Sequence, residues 1–288
     1  FEMTMAPPQE DAPLCWSRSD PEQRLAFRGG RFTRVNLVFT CLVGAMLSGV
    51  FYLALLPFRG VWAGKTFYEN GPTPYAIVFF FAWSLVILID KQWKLRLQRR
   101  ALDYSVVPND PGFVLTPATV DEVIGRIYAT ADDPRQFMLF NRLLIALSNL
   151  RNLGRVSDVD DILRSQAEND EASMETSYHL LQGLIWAIPV LGFIGTVLGL
   201  SAAIGNFGGV LEQSTEVAGL KDALRAVTSG LSEAFETTLH GLVAAMIIQL
   251  WMTTLKVSEE EFLDACSEYA LKNVVGRLRL NPYDNHGG

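Results

Sequence analysis

The feature that most constrains this chain is an uncharged stretch, residues 180–207, which contains no Asp, Glu, Lys or Arg. A helix rises about 1.5 Å per residue, so a stretch of this length can cross the hydrocarbon core of a bilayer. Gly192, Gly195 and Gly199 recur in it at i, i+3 and i+7 and therefore share one helix face. In lipid, small residues on one face let a second helix approach closely. The stretch therefore predicts a membrane-spanning helix that packs tightly, with Pro189 as a break in it.

Three further apolar runs predict three more membrane spans. They are residues 35–56, 74–89 and 237–255. The second of these is barely long enough to cross the bilayer. We expect Trp93 and the aliphatic stems of Lys91 and Lys94 to complete it by snorkelling towards the membrane surface. The chain is thus predicted to form two membrane hairpins.

Basic residues give these hairpins an orientation. Arginines cluster before the first span and Lys and Arg cluster after the second, whereas the connection between them has only Arg59 and Lys65. The positive-inside rule then predicts that both termini and residues 91–179 lie in the cytoplasm. The expected fold class is an all-α membrane protein with four transmembrane helices and a helical cytoplasmic domain between the second and third.

This topology divides the chain into five predicted segments. They are a partly disordered N-terminal cytoplasmic arm (1–34), a first transmembrane hairpin (35–90), a cytoplasmic helical domain (91–179), a second transmembrane hairpin that lines a pore (180–257), and a C-terminal cytoplasmic helix and tail (258–288). Within the arm, Asp20 and Pro21 fit the N-cap and first position of a short helix. Apolar periodicity predicts helices over 119–128, 137–150 and 156–178, and Gly208-Gly209 predicts a turn after the third span.

Composition argues against several other classes of protein. The formal net charge is −7, so no overall basic field would attract nucleic acid. Cys15, Cys41 and Cys266 lie far apart and match neither a disulfide framework nor a metal-ligand spacing. The three histidines are equally scattered, and the sequence contains no phosphate-binding loop. We therefore expect neither an enzyme nor a protein with a cofactor or metal.

The entry to the fourth span carries an unusual polar stripe. Glu233, Glu236, Thr237 and His240 fall at i, i+3, i+4 and i+7 and so share one helix face. An ionised acid near the membrane centre costs about 2.5–3.5 kcal/mol on insertion scales. These side chains should therefore face water, protein or an ion path, unless the two glutamates lie outside the membrane. His240 could titrate near neutrality or donate a single helix-to-helix hydrogen bond.

Hydroxyl groups in the last two spans have two interpretations. Thr196, Thr237 and Thr238 could each bond a carbonyl of their own helix, four residues back. Because several hydroxyls lie on two apolar helices joined by a short connection, they could instead form a polar lining. The residues alone leave both readings open.

Two motifs together resemble those of the MotA/TolQ/ExbB proton-channel family. They are PVLGFIGTVLG at residues 189–199 and GLSEAFETTLHGL at residues 230–242. The resemblance covers roughly residues 91–272. Four spans with the large cytoplasmic segment between the second and third are similar to MotA, whereas the second motif looks more like TolQ and ExbB, which have three spans.

The resemblance implies a motor subunit of the bacterial inner membrane. In that family five copies surround the two transmembrane helices of a dimeric single-span partner of the MotB/TolR/ExbD type, whose membrane aspartate carries the ion. Pro189 matches the family's third-span proline, Thr196 its pore hydroxyl position, Glu233 the acid at the entry to the last span, and Thr238 its threonine. The proline that commonly follows in the last span of TolQ and ExbB is absent, with Ile247 near that place. His240 is not a usual pore residue either.

The residues and the resemblance together predict an ion pathway and a helix-packing surface. The pore-lining residues are Thr196, Thr237, Thr238, Glu233 and His240. The helix-packing or partner-helix residues are Pro189, Gly192, Gly195, Gly199 and Gly241. We expect proton as the carried ion, with sodium as the alternative, and lipid, a homo-oligomer and the single-span subunit as partners. Two rival functions are a passive membrane scaffold and a gated channel without a rotary partner.

Overall fold

The computed structural model describes residues 12–24, 27, 29–69, 71–108, 113–116, 118–153, 156–213 and 217–278. These residues are almost all helical. They form no strand beyond two isolated bridges, Leu14 with Ala131 and Leu115 with Leu278. The all-α class predicted from the sequence is therefore confirmed for the described residues.

Ten α-helices account for most of the described chain. They are α1 (Trp16–Ser19), α2 (Pro21–Arg24), α3 (Leu37–Leu55), α4 (Trp62–Glu69), α5 (Thr73–Arg100), α6 (Val120–Thr130), α7 (Met138–Leu153), α8 (Val156–Ser177), α9 (His179–Gln213) and α10 (Val217–Asn273). Short 3₁₀ turns lie at Leu56–Phe58, Ala101–Asp103, Pro134–Gln136 and Val275–Arg277. The predicted helices over 119–128, 137–150 and 156–178 correspond to α6, α7 and α8.

The helices group into two compact units. The apolar unit comprises residues 37–89 and 178–254, and the polar unit comprises residues 1–36, 90–177 and 255–288. Four helical stretches are long and apolar enough to cross a membrane: Leu37–Phe58, Thr73–Asp103, Val159–Gly205 and Leu224–Arg277. The four predicted spans are therefore confirmed by length and composition.

The apolar unit turns many large apolar side chains outwards. Met46, Trp186, Phe193 and Leu250 are each more than 60% exposed. Such a surface suits lipid or another transmembrane helix and would be costly in water. Inside the unit, a Cβ added at Gly44 would lie 2.8 Å from the Cα of Trp83, so α3 and α5 pack backbone to backbone there.

Two helix-breaking signals in the sequence do not break the helices. α9 continues through Pro189, and it also continues through Gly208-Gly209 to Gln213, so the turn predicted at the two glycines is wrong. A proline in a transmembrane helix is tolerated because neighbouring groups satisfy the carbonyl that it leaves free. A glycine inside a helix costs only about 1 kcal/mol. α10 likewise runs unbroken for 57 residues, so the predicted fourth span is the middle part of one longer helix.

In the polar unit, the N-terminal segment is packed rather than solvated. Trp16 is 1% exposed and its ring meets Phe137 edge-on at 5.3 Å between centroids. The Leu14 amide donates to the carbonyl of Thr130 at 3.0 Å. Residues 12–24 of the predicted arm are therefore ordered, because Leu14 and Trp16 are buried in the polar unit. Disorder was predicted for residues 1–20, and residues 1–11 of that stretch lie outside the described residues.

The short helix predicted at Asp20 is present as α2. The amide of Glu22 donates to Asp20 Oδ1 at 3.2 Å, which is the N-cap bond that the sequence predicts. Asp20 and Glu22 are themselves fully buried. Burial raises the pKa of the Asp20 carboxyl, against the opposing attraction of the Lys94 ammonium. This helix is therefore anchored by charge as well as capped.

Lys91 and Lys94 do not snorkel, contrary to the prediction. They are 1% and 0% exposed. The Lys94 ammonium lies 2.6 Å from Glu22 Oε2, and that of Lys91 lies 3.4 Å from Glu259 Oε2. Two lysines that look like a membrane-surface anchor in the sequence are thus held inside the polar unit, because buried carboxylates from distant parts of the chain neutralise them.

Candidate functional site

The candidate site lies where α9 and α10 cross inside the apolar unit. A Cβ added at Gly192 would lie 3.1 Å from both Thr237 O and Thr238 Cα, and one at Gly241 would lie 3.0 Å from Ile188 O. Further along, a Cβ at Gly230 would lie 2.7 Å from Ala203 Cβ. A side chain at Gly230 would require a shift of its neighbour, and one at Gly192 or Gly241 would be unusually tight. The predicted glycine face therefore packs against the next helix of the same chain.

Glycine at these positions brings two threonine hydroxyls together. The hydroxyls of Thr196 on α9 and Thr238 on α10 are in direct hydrogen-bond contact. Thr196 Oγ1 also lies 3.2 Å from Gly192 O and 3.1 Å from Ala234 O, and Thr238 Oγ1 lies 3.0 Å from Gly192 O. Both hydroxyls thus bridge the two helices, and Thr196 also makes the local bond four residues back.

The resulting hydroxyl cluster, defined as Thr196 and Thr238 with the carbonyls of Gly192 and Ala234, is rich in acceptors. Each hydroxyl supplies one proton and two lone pairs, and each carbonyl supplies lone pairs only. The two carbonyls also accept the backbone hydrogen bonds of their own helices, whereas the two hydroxyl oxygens keep lone pairs that can accept a further bond. Both threonine side chains are partly exposed at this crossing, so a further group can reach them. The cluster can therefore accept a hydrogen bond from a protonated group or contact a small cation.

A third threonine lies deeper in the same crossing. Thr237 is 3% exposed, and its hydroxyl donates to Ala234 O at 2.9 Å. A Cβ at Gly195 would lie 2.7 Å from Thr237 Oγ1 and 2.8 Å from Thr73 Oγ1. Gly195 therefore makes room for two hydroxyl groups, one of them from the start of α5. Sequence reasoning missed Thr73, because a single Thr at a span terminus carries no periodic signal.

The structure does not bring Glu233 and His240 into the hydroxyl cluster. Glu233 is exposed, and the His240 ring packs against Phe67 with 5.0 Å between centroids. Glu236, on the same stripe, accepts a hydrogen bond from the Thr66 hydroxyl at 3.1 Å, and Thr66 is 3% exposed. The polar stripe of α10 is thus partly covered by α4. Thr66 was also missed, since it lies in a short connection between spans.

The packing residues fall into one row along α9. Pro189 lies one helical turn before Gly192, and a Cβ at Gly199 would lie 3.3 Å from Ala234 Cβ. The row Gly192, Gly195 and Gly199 is therefore occupied by α10, so a helix of another subunit would have to approach a different side of α9. Among the described residues, no group of His, Cys, Asp and Glu could hold a metal ion.

Comparison with known proteins places this crossing in a family. The model of the MotA/TolQ/ExbB proton channel family matches residues 138–267. This segment belongs to that family, as the two sequence motifs predict. The match includes the whole hydroxyl cluster and all five packing residues. No curated protein and no solved structure matches the chain.

The MotA/TolQ/ExbB match supports an ion channel as the broad class of this protein. The family is one of proton channels in motor-like complexes, which agrees with the four apolar helices and a multi-pass membrane location. It also supports the expectation that the chain is not an enzyme.

Proposed function

We propose that this chain is the pore-forming subunit of an ion-driven rotary motor in the bacterial inner membrane. The observation that carries the proposal is the hydroxyl cluster between the two glycine-packed helices of the family segment. We propose the proton as the carried ion, with sodium as the alternative. An acceptor-rich oxygen cluster suits either, since both a protonated carboxyl and a hard cation seek oxygen atoms.

The membrane-spanning parts of this chain supply no carboxylate that could carry the ion. Residues 179–211 and 237–257 contain no Asp or Glu. A carrier acid in the membrane must therefore come from another subunit, for which a dimeric single-span partner with a membrane aspartate is the candidate. The hydroxyls of Thr196 and Thr238 would accept a hydrogen bond from its protonated form. Other parts of the proposed ion path, on either side of the hydroxyl cluster, would be contributed by Thr237, Glu233 and His240.

A homo-oligomer, expected to be a pentamer, would surround this partner. The outward apolar side chains of α9 and α10, such as Val197, Leu198, Leu239 and Leu242, are each more than half exposed. They supply surfaces for neighbouring copies, for lipid and for the partner helices. Ion flow would turn the oligomer around the partner, with both termini and residues 91–179 in the cytoplasm. In this proposal Pro189 and the glycines, including Gly241, shape the crossing rather than conduct the ion.

The test is proton uptake by liposomes that contain this chain together with a single-span, membrane-Asp protein encoded beside it. We expect uptake with both proteins, and a loss of at least tenfold when the partner's aspartate is changed to Asn. Subunits counted in detergent should number five per complex. Uptake that is absent with both proteins, despite a stable complex, would favour the passive scaffold. Uptake without the partner would favour the gated channel.

A further inference from the structure

Outside the candidate site, the polar unit contains a basic cavity of about 280 Å³. It is lined by Arg18, Arg24, Arg96 and Arg100, together with Ser19, Trp93 and Leu97. All four arginine side chains are exposed, and no acidic residue is among the described residues that line the cavity. We call it the arginine pocket.

Within the part of the chain that the structure describes, no carboxylate neutralises these four guanidinium groups. None of them forms an ion pair with any residue in the described ranges, whereas other exposed arginines, such as Arg126 with Glu122 at 2.9 Å, do. Like charges around one cavity repel each other, and this repulsion is relieved when an anion enters. Planar guanidinium groups bind phosphate oxygens in pairs of parallel hydrogen bonds, so a phosphate group is the anion that such a pocket best accommodates.

The walls of the pocket are fixed in place by buried contacts. The N-terminal wall is held to α5 by the Lys94–Glu22 ion pair at 2.6 Å, and both residues are 0% exposed. Trp93 Nε1 donates to the carbonyl of Ser19 at 3.1 Å, which closes the rim. The sequence could not predict this pocket, because it needs two segments about seventy residues apart.

The position of the pocket along α5 indicates where its ligand comes from. Trp93, Arg96 and Arg100 follow Ile89, the last residue of the apolar run, by four, seven and eleven residues on the same helix. At about 1.5 Å per residue, these side chains lie within about 20 Å of the end of that run. A half-exposed Trp and a basic cluster directly after a transmembrane run are typical of the level of lipid headgroups.

We propose that the arginine pocket binds the phosphate of an anionic phospholipid headgroup. The four arginines hold the phosphodiester, and Trp93 and Leu97 contact the glycerol and the first acyl carbons. Occupation of the pocket links the N-terminal segment and the C-terminal part of α5 to a lipid. The lipid would be a structural ligand of the subunit, separate from the ion path.

The experiment is native mass spectrometry of the full chain in detergent, titrated with phosphatidylglycerol or phosphatidylcholine. We expect wild type to retain phosphatidylglycerol at least tenfold more tightly than phosphatidylcholine. The Arg96→Gln, Arg100→Gln double variant should lose about tenfold in phosphatidylglycerol affinity. The matched control is Arg126→Gln, Arg151→Gln, which removes the same charge from the surface pairs with Glu122 and Asp121 and should bind like wild type.

A second double variant, Arg18→Gln, Arg24→Gln, removes the two arginines that the N-terminal segment contributes to the pocket. It provides an independent test if the first double variant misfolds. Circular dichroism checks the helicity of both variants. Phosphatidylglycerol affinity that is equal in wild type and in either folded pocket variant would overturn the proposal. Equal affinities of wild type for phosphatidylglycerol and phosphatidylcholine would also overturn it. Displacement of the lipid by millimolar inorganic phosphate would assign the pocket to a soluble phosphate instead and overturn the lipid assignment.

Discussion

Removing the hydroxyl groups of Thr196 and Thr238 tests the candidate site most directly, because these two groups bridge α9 and α10. Val at position 196 or 238 keeps the volume of Thr nearly constant and deletes one donor and two acceptor sites. At position 196 it removes contacts to Gly192 O at 3.2 Å and Ala234 O at 3.1 Å, and at position 238 it removes the contact to Gly192 O at 3.0 Å. The close contacts of Gly192 and Gly199 with α10 involve no hydroxyl group and should persist.

The expected magnitudes separate folding from ion transfer. A lost intramolecular hydrogen bond costs about 0.5–1.5 kcal/mol of stability, so the variant complexes should still assemble. A carrier carboxyl that loses its hydrogen-bonding neighbour is left partly unsatisfied, which costs about 1–3 kcal/mol and more when the group is charged. Because about 1.4 kcal/mol equals one pKa unit, ion-driven uptake should fall at least tenfold in each variant.

The assay is proton uptake in liposomes that contain both subunits, with assembly measured on the same preparation. Thr196→Ser and Thr238→Ser keep the hydroxyl and should retain most of the activity. Thr228→Val is a second control, since the exposed Thr228 hydroxyl bonds only its own helix, at Leu224 O and Arg225 O. Full activity in the double Thr196→Val, Thr238→Val variant would refute the hydroxyl-lined path and leave both threonines as packing residues.

Three further predictions concern packing, topology and buried charge. Gly195→Leu should disrupt the α9–α10 crossing, because even a Cβ would lie 2.7 Å from Thr237 Oγ1. The expected destabilisation is about 1–3 kcal/mol, measured as a lower midpoint of thermal unfolding. An unchanged midpoint would contradict the packing. In a variant without native cysteines, Gly60→Cys should react with an impermeant thiol reagent added outside the cell, and Arg126→Cys should not. The reverse labelling would overturn the predicted cytoplasmic position of residues 91–179. Lys94→Met should lower the free energy of unfolding by about 3–5 kcal/mol, because it leaves the buried carboxylates of Asp20, Glu22 and Asp90 without their cation. Denaturation of Lys272→Met, an exposed control, should match wild type.

The four candidate spans were predictable because they depend on local properties. Membrane spans follow from runs of apolar residues, and helix packing at Gly192, Gly195 and Gly199 follows from their spacing. The two motifs that carry the family resemblance are equally local, and each lies within one helix. The cap at Asp20 is local too, since its bond to the Glu22 amide spans two residues.

Pairings between distant residues could not be predicted in this way. A lysine after an apolar run looks the same in the sequence whether it snorkels or pairs, and only the fold placed Lys91 beside Glu259 and Lys94 beside Glu22. The same holds for Thr73 and Thr66, whose neighbours in space come from other helices. By itself, the sequence determined the helical class and the candidate spans, because these depend on short-range periodicity and on runs of apolar residues. Its two motifs carried the resemblance to the family. The tertiary structure alone decided which polar groups meet, because buried polar side chains are stabilised only by partners that chain folding brings to them.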